Sequence, residues 1–222
     1  MARPRVFALI GSALVLLGVL SGVSPMALNA STKGGQGEIF AVGAPGMLPL
    51  WLLALALYIW IGTYRLPVPE NPSMPAGLIR RFVAFYIDLS ICYVVIIVPL
   101  VLLVLGVEAL TSRSFAWEVE LVESSHNFGA ACLIIVTTPI LLILLLSWPE
   151  AKQRFSPGML VSGFYLYSPS ELSVGRAVLR SVMGFLTLAG IVLSGPMALA
   201  REDRRMWHDL AFGTYPQRTV GE

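Results

Sequence analysis

Five windows of the sequence run for 18 to 24 residues with almost no charged side chains. A helix of about 20 residues is long enough to cross a hydrocarbon core of roughly 30 Å, and its backbone groups bond to one another. The runs are continuously apolar instead of alternating, which argues against the strands of a membrane barrel. The sequence therefore predicts an all-α, polytopic helical membrane bundle with helices at 6–23, 46–64, 82–105, 128–148 and 177–199.

The charge composition supports this fold class. Charged residues make up 13% of the chain, whereas about 25% is usual in a soluble domain, and the mean hydropathy is +0.78. The net charge of +2 is too small for a nucleic-acid footprint. We therefore expect the lipid bilayer as a partner and no nucleic acid.

The first four windows predict firm transmembrane helices, whereas the fifth is ambiguous. A dip into the bilayer is favoured by Gly190 and by the break at 194–196. It is also favoured by the basic residues at both ends of the window, because basic residues prefer the cytoplasmic side. The 20 residues between Arg180 and Arg201 nevertheless suffice for a full crossing. The segment 177–199 is therefore predicted to be re-entrant or spanning.

The distribution of Lys and Arg between the connections predicts the orientation. With the N-terminus in the cytoplasm, nine such residues up to and including Arg180 lie inside and two lie outside, Lys33 and Arg113. We therefore expect a multi-pass protein of the cytoplasmic membrane with a cytoplasmic N-terminus. The first window resembles a signal peptide, but Pro25 follows it in place of a clean cleavage site. An uncleaved helix is favoured over removal of residues 1–23.

Four prolines in the segment 66–77 exclude a long helix there. The chain therefore divides into an N-terminal transmembrane hairpin at 1–65, a Pro-rich cytoplasmic linker at 66–79 and a second membrane domain at 80–216.

Asp88 is the one acidic residue inside a predicted span. It follows Arg81 by seven residues, which places it on the same helix face and about 10 Å deeper. An ionised carboxylate at that depth costs about 2.5–3.5 kcal/mol, so it should face the bundle and have a partner. Two interpretations are open: a buried pair with an arginine such as Arg81, Arg176 or Arg180, or a carboxylate that binds an ion or a proton in a transport path.

His208 and Asp209 lie in the polar segment that follows the last window. They can anchor a turn by pairing with Arg80, Arg81 or Arg176, relay protons at the mouth of a pathway, or take part in acid–base catalysis. No nucleophile motif or oxyanion site accompanies them, so the protein is not expected to be an enzyme. Cys92 and Cys132 lie in separate windows and match no metal-ligand spacing, so no metal or other cofactor is expected.

Four motifs occur in order along the second part of the chain. They are R-R-F-V-A-F-Y-I-D at 80–88, R-F-S-P-G-M-L at 154–160, V-G-R-A-V-L-R at 174–180 and R-M-W-H-D-L-A-F-G-T at 205–214. Over about residues 76–215 the chain resembles the RDD family of bacterial integral membrane proteins. The family's namesake arginine would be Arg81, and its two aspartates Asp88 and Asp209. The chain departs from the family at Met159, where a lysine is usual, and at Arg154, where a glycine is common.

The resemblance implies an RDD-like membrane domain at 80–216 in the bacterial cytoplasmic (inner) membrane. It also suggests transport, including exchange of a cation for protons. We therefore expect a small transporter in which Asp88 binds a monovalent cation or a proton and arginines adjust the strength of that binding. The alternative is a non-catalytic membrane scaffold or accessory subunit, in which the buried Asp and Arg side chains only hold helices together.

Overall fold

A computed structural model of the chain describes residues 2–21, 27–33, 36–42, 47–65, 74–112, 118–120, 125–169 and 172–218. It is mostly helical. The helices of the described residues are α1 Ala2–Leu20, α2 Met47–Ile61, α3 Leu78–Ser112, α4 Ser125–Ala151, α5 Pro157–Ser162, α6 Val174–Ala189, α7 Ile191–Leu199 and α8 Trp207–Phe212. The strands are β1 Ala27–Lys33, β2 Gln36–Val42, β3 Glu118–Glu120, β4 Phe164–Tyr167 and β5 Tyr215–Arg218.

Each of the first four apolar windows coincides with a helix, but only two of these helices reach crossing length. Within α3, Leu78–Leu103 spans 26 residues with a mean hydropathy of 2.4. Within α4, Ile134–Ala151 spans 18 residues with a mean hydropathy of 1.8. The apolar stretches of α1 and α2, Pro4–Leu20 and Leu48–Ile61, are shorter. The helical membrane character is therefore supported, whereas the prediction of four crossings is met at two of its four positions.

Helix α3 shows the pattern of a helix with one face against protein. Ala84, Ile87, Asp88 and Ile91 are buried and recur at the spacing of one helix face. The opposite face carries exposed apolar side chains such as that of Tyr86, which is 48% exposed. In a membrane, lipid would cover that face.

The prediction of an all-α fold is too strict, because two small antiparallel sheets accompany the helices. Strands β1, β2 and β3 form one sheet in that order, and β4 pairs with β5 in the other. These strands lie outside the apolar windows, where extended segments can pair with each other without facing lipid.

The chain forms two compact units. The first takes in Met1–Ser12, Ala56–Leu89 and Ile143–Glu222, and the second Ala13–Leu55 and Ser90–Leu142. In the second unit the indole N–H of Trp51 donates to the carbonyl of Val95 at 3.1 Å, which ties α2 to α3.

The first unit is held by further bonds from side chains to backbone. The hydroxyl of Tyr58 donates to the carbonyl of Leu145 at 2.7 Å, and Arg5 donates to the carbonyl of Leu160 at 3.1 Å. The predicted division of the chain at 65 and 80 stays a prediction. Residues 66–73 of its linker lie outside the described residues.

The fifth apolar window does not form one continuous helix. Helix α6 ends at Ala189 and α7 begins at Ile191, so the break falls at Gly190, a poor helix former. Past the break, the hydroxyl of Ser194 donates to the carbonyl of Thr187 at 3.0 Å and satisfies a backbone group there. The carbonyl of Arg204 then accepts a hydrogen bond from Arg81 at the start of α3. The chain thus returns after the window to the start of α3.

Candidate functional site

A cavity of about 370 Å³ lies within the first unit. Its wall is formed mostly by apolar side chains. These come from α3, the end of α4, α5, β4, α6 and the chain near α8. Its polar and charged lining consists of Arg81, Asp88, Glu150, Ser156, Arg180, Ser181 and His208. Four of the six residues predicted for a functional site thus line one cavity.

Asp88 is buried, and the start of α5 binds both of its carboxylate oxygens. The hydroxyl of Ser156 donates to Oδ2 at 2.6 Å, and the backbone N–H of Gly158 donates to Oδ1 at 2.7 Å. The first N–H groups of a helix have no partner within the helix, and a carboxylate is a strong acceptor for them. Asp88 contacts no arginine among the described residues, so the interpretation as an Asp–Arg pair is wrong.

The sequence S-P-G-M at 156–159 builds this contact. Ser156 caps α5 by accepting a hydrogen bond from the N–H of Met159 at 3.2 Å, and Pro157 occupies the first helical position, where an N–H is not needed. A Cβ on Gly158 would lie 2.0 Å from the carbonyl oxygen of Ala84. Only glycine therefore lets α5 approach α3 closely enough to reach Asp88.

Asp209 lies on α8, is fully buried, and joins two arginines. Arg81 donates to its Oδ2, and Arg180 donates to its Oδ1 at 2.7 Å. The hydroxyl of Thr214 and the N–H of Met206 each donate to it at 3.2 Å. Burial on its own raises the pKa of a carboxyl, but the two guanidiniums outweigh burial and hold the pKa of Asp209 well below its usual range.

Glu150 is a charged member of the site that the sequence analysis missed. The predicted span ended at residue 148, but α4 continues to Ala151, and Glu150 lines the cavity. Its Oε1 accepts from Arg180 at 2.5 Å. Its Oε2 is buried and has no hydrogen-bond partner among the described residues. The position of Glu150 directly after an apolar run was the available signal.

His208 lies beside Asp209 in the cavity wall. Nδ1 of His208 lies 3.2 Å from the hydroxyl oxygen of Thr187, within hydrogen-bond distance. Nε2 of the ring lies 3.4 Å from Oδ1 of Asp209. Burial lowers the pKa of His208 to about 4 despite the attraction of Asp209, so the ring is neutral at neutral pH.

The two arginines of α6 differ in their surroundings. Arg180 is buried and, besides Asp209 and Glu150, reaches the hydroxyl of Thr214 at 3.1 Å. Arg176 is exposed and does not line the cavity. Of the arginines proposed as partners for the buried acids, Arg81 and Arg180 therefore belong to the site and Arg176 does not.

The buried charges around the cavity do not balance. Asp88, Glu150 and Asp209 carry three negative charges when ionised, whereas Arg81 and Arg180 carry two positive charges, which leaves a net charge of −1. No further cationic side chain contacts these groups in the described part of the chain. A buried uncompensated charge is costly in an apolar surrounding.

The comparisons with known proteins agree with the motifs. The family model described as the RDD family matches residues 75–213, which is more than half of the chain. The predicted resemblance over about 76–215 is thereby confirmed. No curated protein and no solved structure gives a significant match.

Proposed function

The chain belongs to the RDD family, and from this premise we propose that it is a small membrane transporter that exchanges a cation for protons. The observation that carries the proposal is the excess of one buried negative charge around a cavity. A group that must be neutral in an apolar surrounding holds either a proton or a cation, and alternation between the two is exchange.

The contacts suggest that the charged groups have different roles. Asp209 binds Arg81 and Arg180 and fixes α3, α6 and α8 relative to one another. The carboxylate with an unused oxygen is that of Glu150, and Asp88 lines the same cavity. We assign the exchangeable proton or cation to Glu150 and Asp88 together. No bond-breaking step is assigned to His208 or Asp209, and the protein is not proposed to be an enzyme.

The proposal includes a location and an orientation. The protein lies in the bacterial cytoplasmic membrane as a multi-pass protein, with its N-terminus in the cytoplasm. The excess of Lys and Arg in the connections predicted to be inside supports this orientation.

The test is proton movement in vesicles that contain the purified protein and a pH-sensitive dye. A pulse of Na⁺ or K⁺ should change the internal pH, and Glu150→Gln and Asp88→Asn should each reduce the rate about tenfold or more, because each removes a charge that the mechanism needs. Glu202→Gln, at an exposed acid, is the matched control and should keep the rate.

Melting temperature and gel filtration separate a lost activity from a lost fold. Undiminished exchange by both Glu150→Gln and Asp88→Asn in folded protein would contradict the proposed site. Absence of any ion-driven pH change in the wild type would contradict exchange itself.

A non-catalytic scaffold is the second candidate, and one observation favours it. Asp88 and Asp209 have their oxygens occupied by Ser156, Gly158 and the two arginines, as in a purely structural network. Under this function no cation drives proton movement in the wild type, and Asp88→Asn lowers the melting temperature without any other effect.

A further inference from the structure

We infer that the cavity binds an organic cation, an ammonium group that carries apolar or aromatic substituents. The inference rests on the proposed exchange of a cation for protons, and it names the class of cation. It is drawn from the size of the cavity, its aromatic lining and its one unpartnered carboxylate oxygen.

The size and lining of the cavity do not suit a bare inorganic ion. Small-molecule sites begin at roughly 300 Å³, and one water needs only about 30 Å³, whereas this cavity holds about 370 Å³. Inorganic cations are held by shells of oxygen ligands. Most of the lining is apolar, and no group of three or more His, Cys, Asp or Glu is arranged to hold a metal ion within the described ranges.

Aromatic rings form a large part of the apolar wall. Phe82, Phe85, Phe164 and Phe185 line the cavity. The rings of Phe85 and Phe185 meet edge to face, with centroids 5.3 Å apart and planes at 77°. The face of an aromatic ring attracts a cation that lies within about 6 Å of its centre. Such rings also bury the apolar substituents of an organic ammonium, which an inorganic ion lacks.

The charges leave room for one positive group. Arg81 and Arg180 would repel a cation if they were free, but both bind Asp209, and Arg180 also binds Oε1 of Glu150. The neutral ring of His208 adds no charge. Oε2 of Glu150 is left without a partner in the described part of the chain. Glu150 lines the cavity, so an ammonium group there would lie near its carboxylate and balance the charge of the site.

The probe for this site is benzyltrimethylammonium, a quaternary ammonium with one aromatic ring. It cannot gain or lose a proton, so any pH change that it drives requires the protein. Its neutral isostere, neopentylbenzene, has the same shape without the charge. We would measure binding to the purified full-length chain by calorimetry, competition by the isostere, and proton movement in vesicles after a pulse of the probe, of Na⁺ or of K⁺.

Two variants and a matched control locate the site. Glu150→Gln should weaken binding of the probe about tenfold or more, because it removes the counter-charge. Phe185→Leu keeps an apolar side chain but removes a ring, and it should weaken binding about threefold. Phe7→Leu makes the same change at a ring that is 65% exposed on α1, outside the cavity, and should leave binding unchanged.

The outcomes separate this inference from the proposed exchange. Binding of the probe that exceeds that of the isostere and weakens in Glu150→Gln and Phe185→Leu supports the inference. Equal binding of both compounds, insensitive to Glu150→Gln, means that the cavity recognises an apolar shape and not a positive charge, and it overturns the inference. Proton movement driven by Na⁺ or K⁺ without binding of the probe overturns the inference and leaves exchange standing. Specific binding of the probe without ion-driven proton movement supports the inference and overturns exchange.

Discussion

At the scale of single residues, Asp209 connects several elements of the first unit. One carboxylate receives Arg81 from α3, Arg180 from α6, Thr214 from the segment before β5, and the backbone at the start of α8. Its two oxygens are fully used, and both guanidiniums lose their common partner if its charge is removed.

We predict that Asp209→Asn lowers the free energy of unfolding by about 3–5 kcal/mol, because Arg81 loses the carboxylate that it binds and Arg180 keeps only that of Glu150. The melting temperature of the purified protein in detergent is the measurement. Asp203→Asn is the control: Asp203 also binds two arginines, Arg201 and Arg205, but at the surface, where such pairs contribute little. Equal falls in the melting temperature of the two variants would show that the ion pairs of Asp209 stabilise the protein no more than those of Asp203.

The sequence identified most of the residues of this site but not their pairing. Asp88 stood out as a lone acid in an apolar run, and the motifs brought in Arg81, Arg180, His208 and Asp209. Which guanidinium meets which carboxylate depends on how separate helices approach, and no local pattern encodes that. One of the two interpretations of Asp88 paired it with an arginine, whereas Ser156 and the N–H of Gly158 at the start of α5 bind it.

At the scale of elements, the short helix α5 depends on a close approach to α3. Its N–H at Gly158 reaches Asp88 only because no side chain separates its backbone from that of Ala84. The contact with Asp88 was not predictable from the sequence, since it joins residues 70 positions apart.

We predict that Gly158→Ala separates α5 from α3, because the new Cβ would lie 2.0 Å from the carbonyl oxygen of Ala84. The loss of packing and of the hydrogen bond to Asp88 should cost about 2–4 kcal/mol, measured as a lower melting temperature. Gly175→Ala in α6 is the matched control. No atom lies within 4 Å of its added Cβ, and alanine favours a helix, so stability should stay equal or rise.

At the scale of the whole molecule, the sequence predicted the class of the fold better than the number of its crossings. Apolar windows report where a helix can lie in lipid, and α3 and α4 satisfy that condition in length and hydropathy. The same windows say little about strands, which is why the small sheets were missed. The fifth window remained ambiguous because its charges favoured one course and its length allowed the other.

The course of the fifth window can be measured. The carbonyl of Arg204, beyond α7, binds Arg81 on α3, and Arg81 and Arg180 share Asp209. Since Arg180 lies in the first turn of the window and Arg204 follows its end, both ends of the window lie near one group of side chains. We therefore predict that residues 152 and 202, on either side of the segment, face the same side of the membrane.

The measurement is labelling of single cysteines by a thiol reagent that does not cross membranes, after replacement of Cys92 and Cys132 by alanine. Lys152→Cys and Glu202→Cys, both at exposed positions, should react in inside-out vesicles and stay protected in right-side-out vesicles. Lys33→Cys, in a connection predicted to lie outside, should show the reverse. If Glu202→Cys follows Lys33→Cys instead of Lys152→Cys, then α6 and α7 together cross the bilayer. The return of Arg204 to Arg81 could not then coexist with the protein in its membrane, because a guanidinium on one side cannot bind a carbonyl on the other.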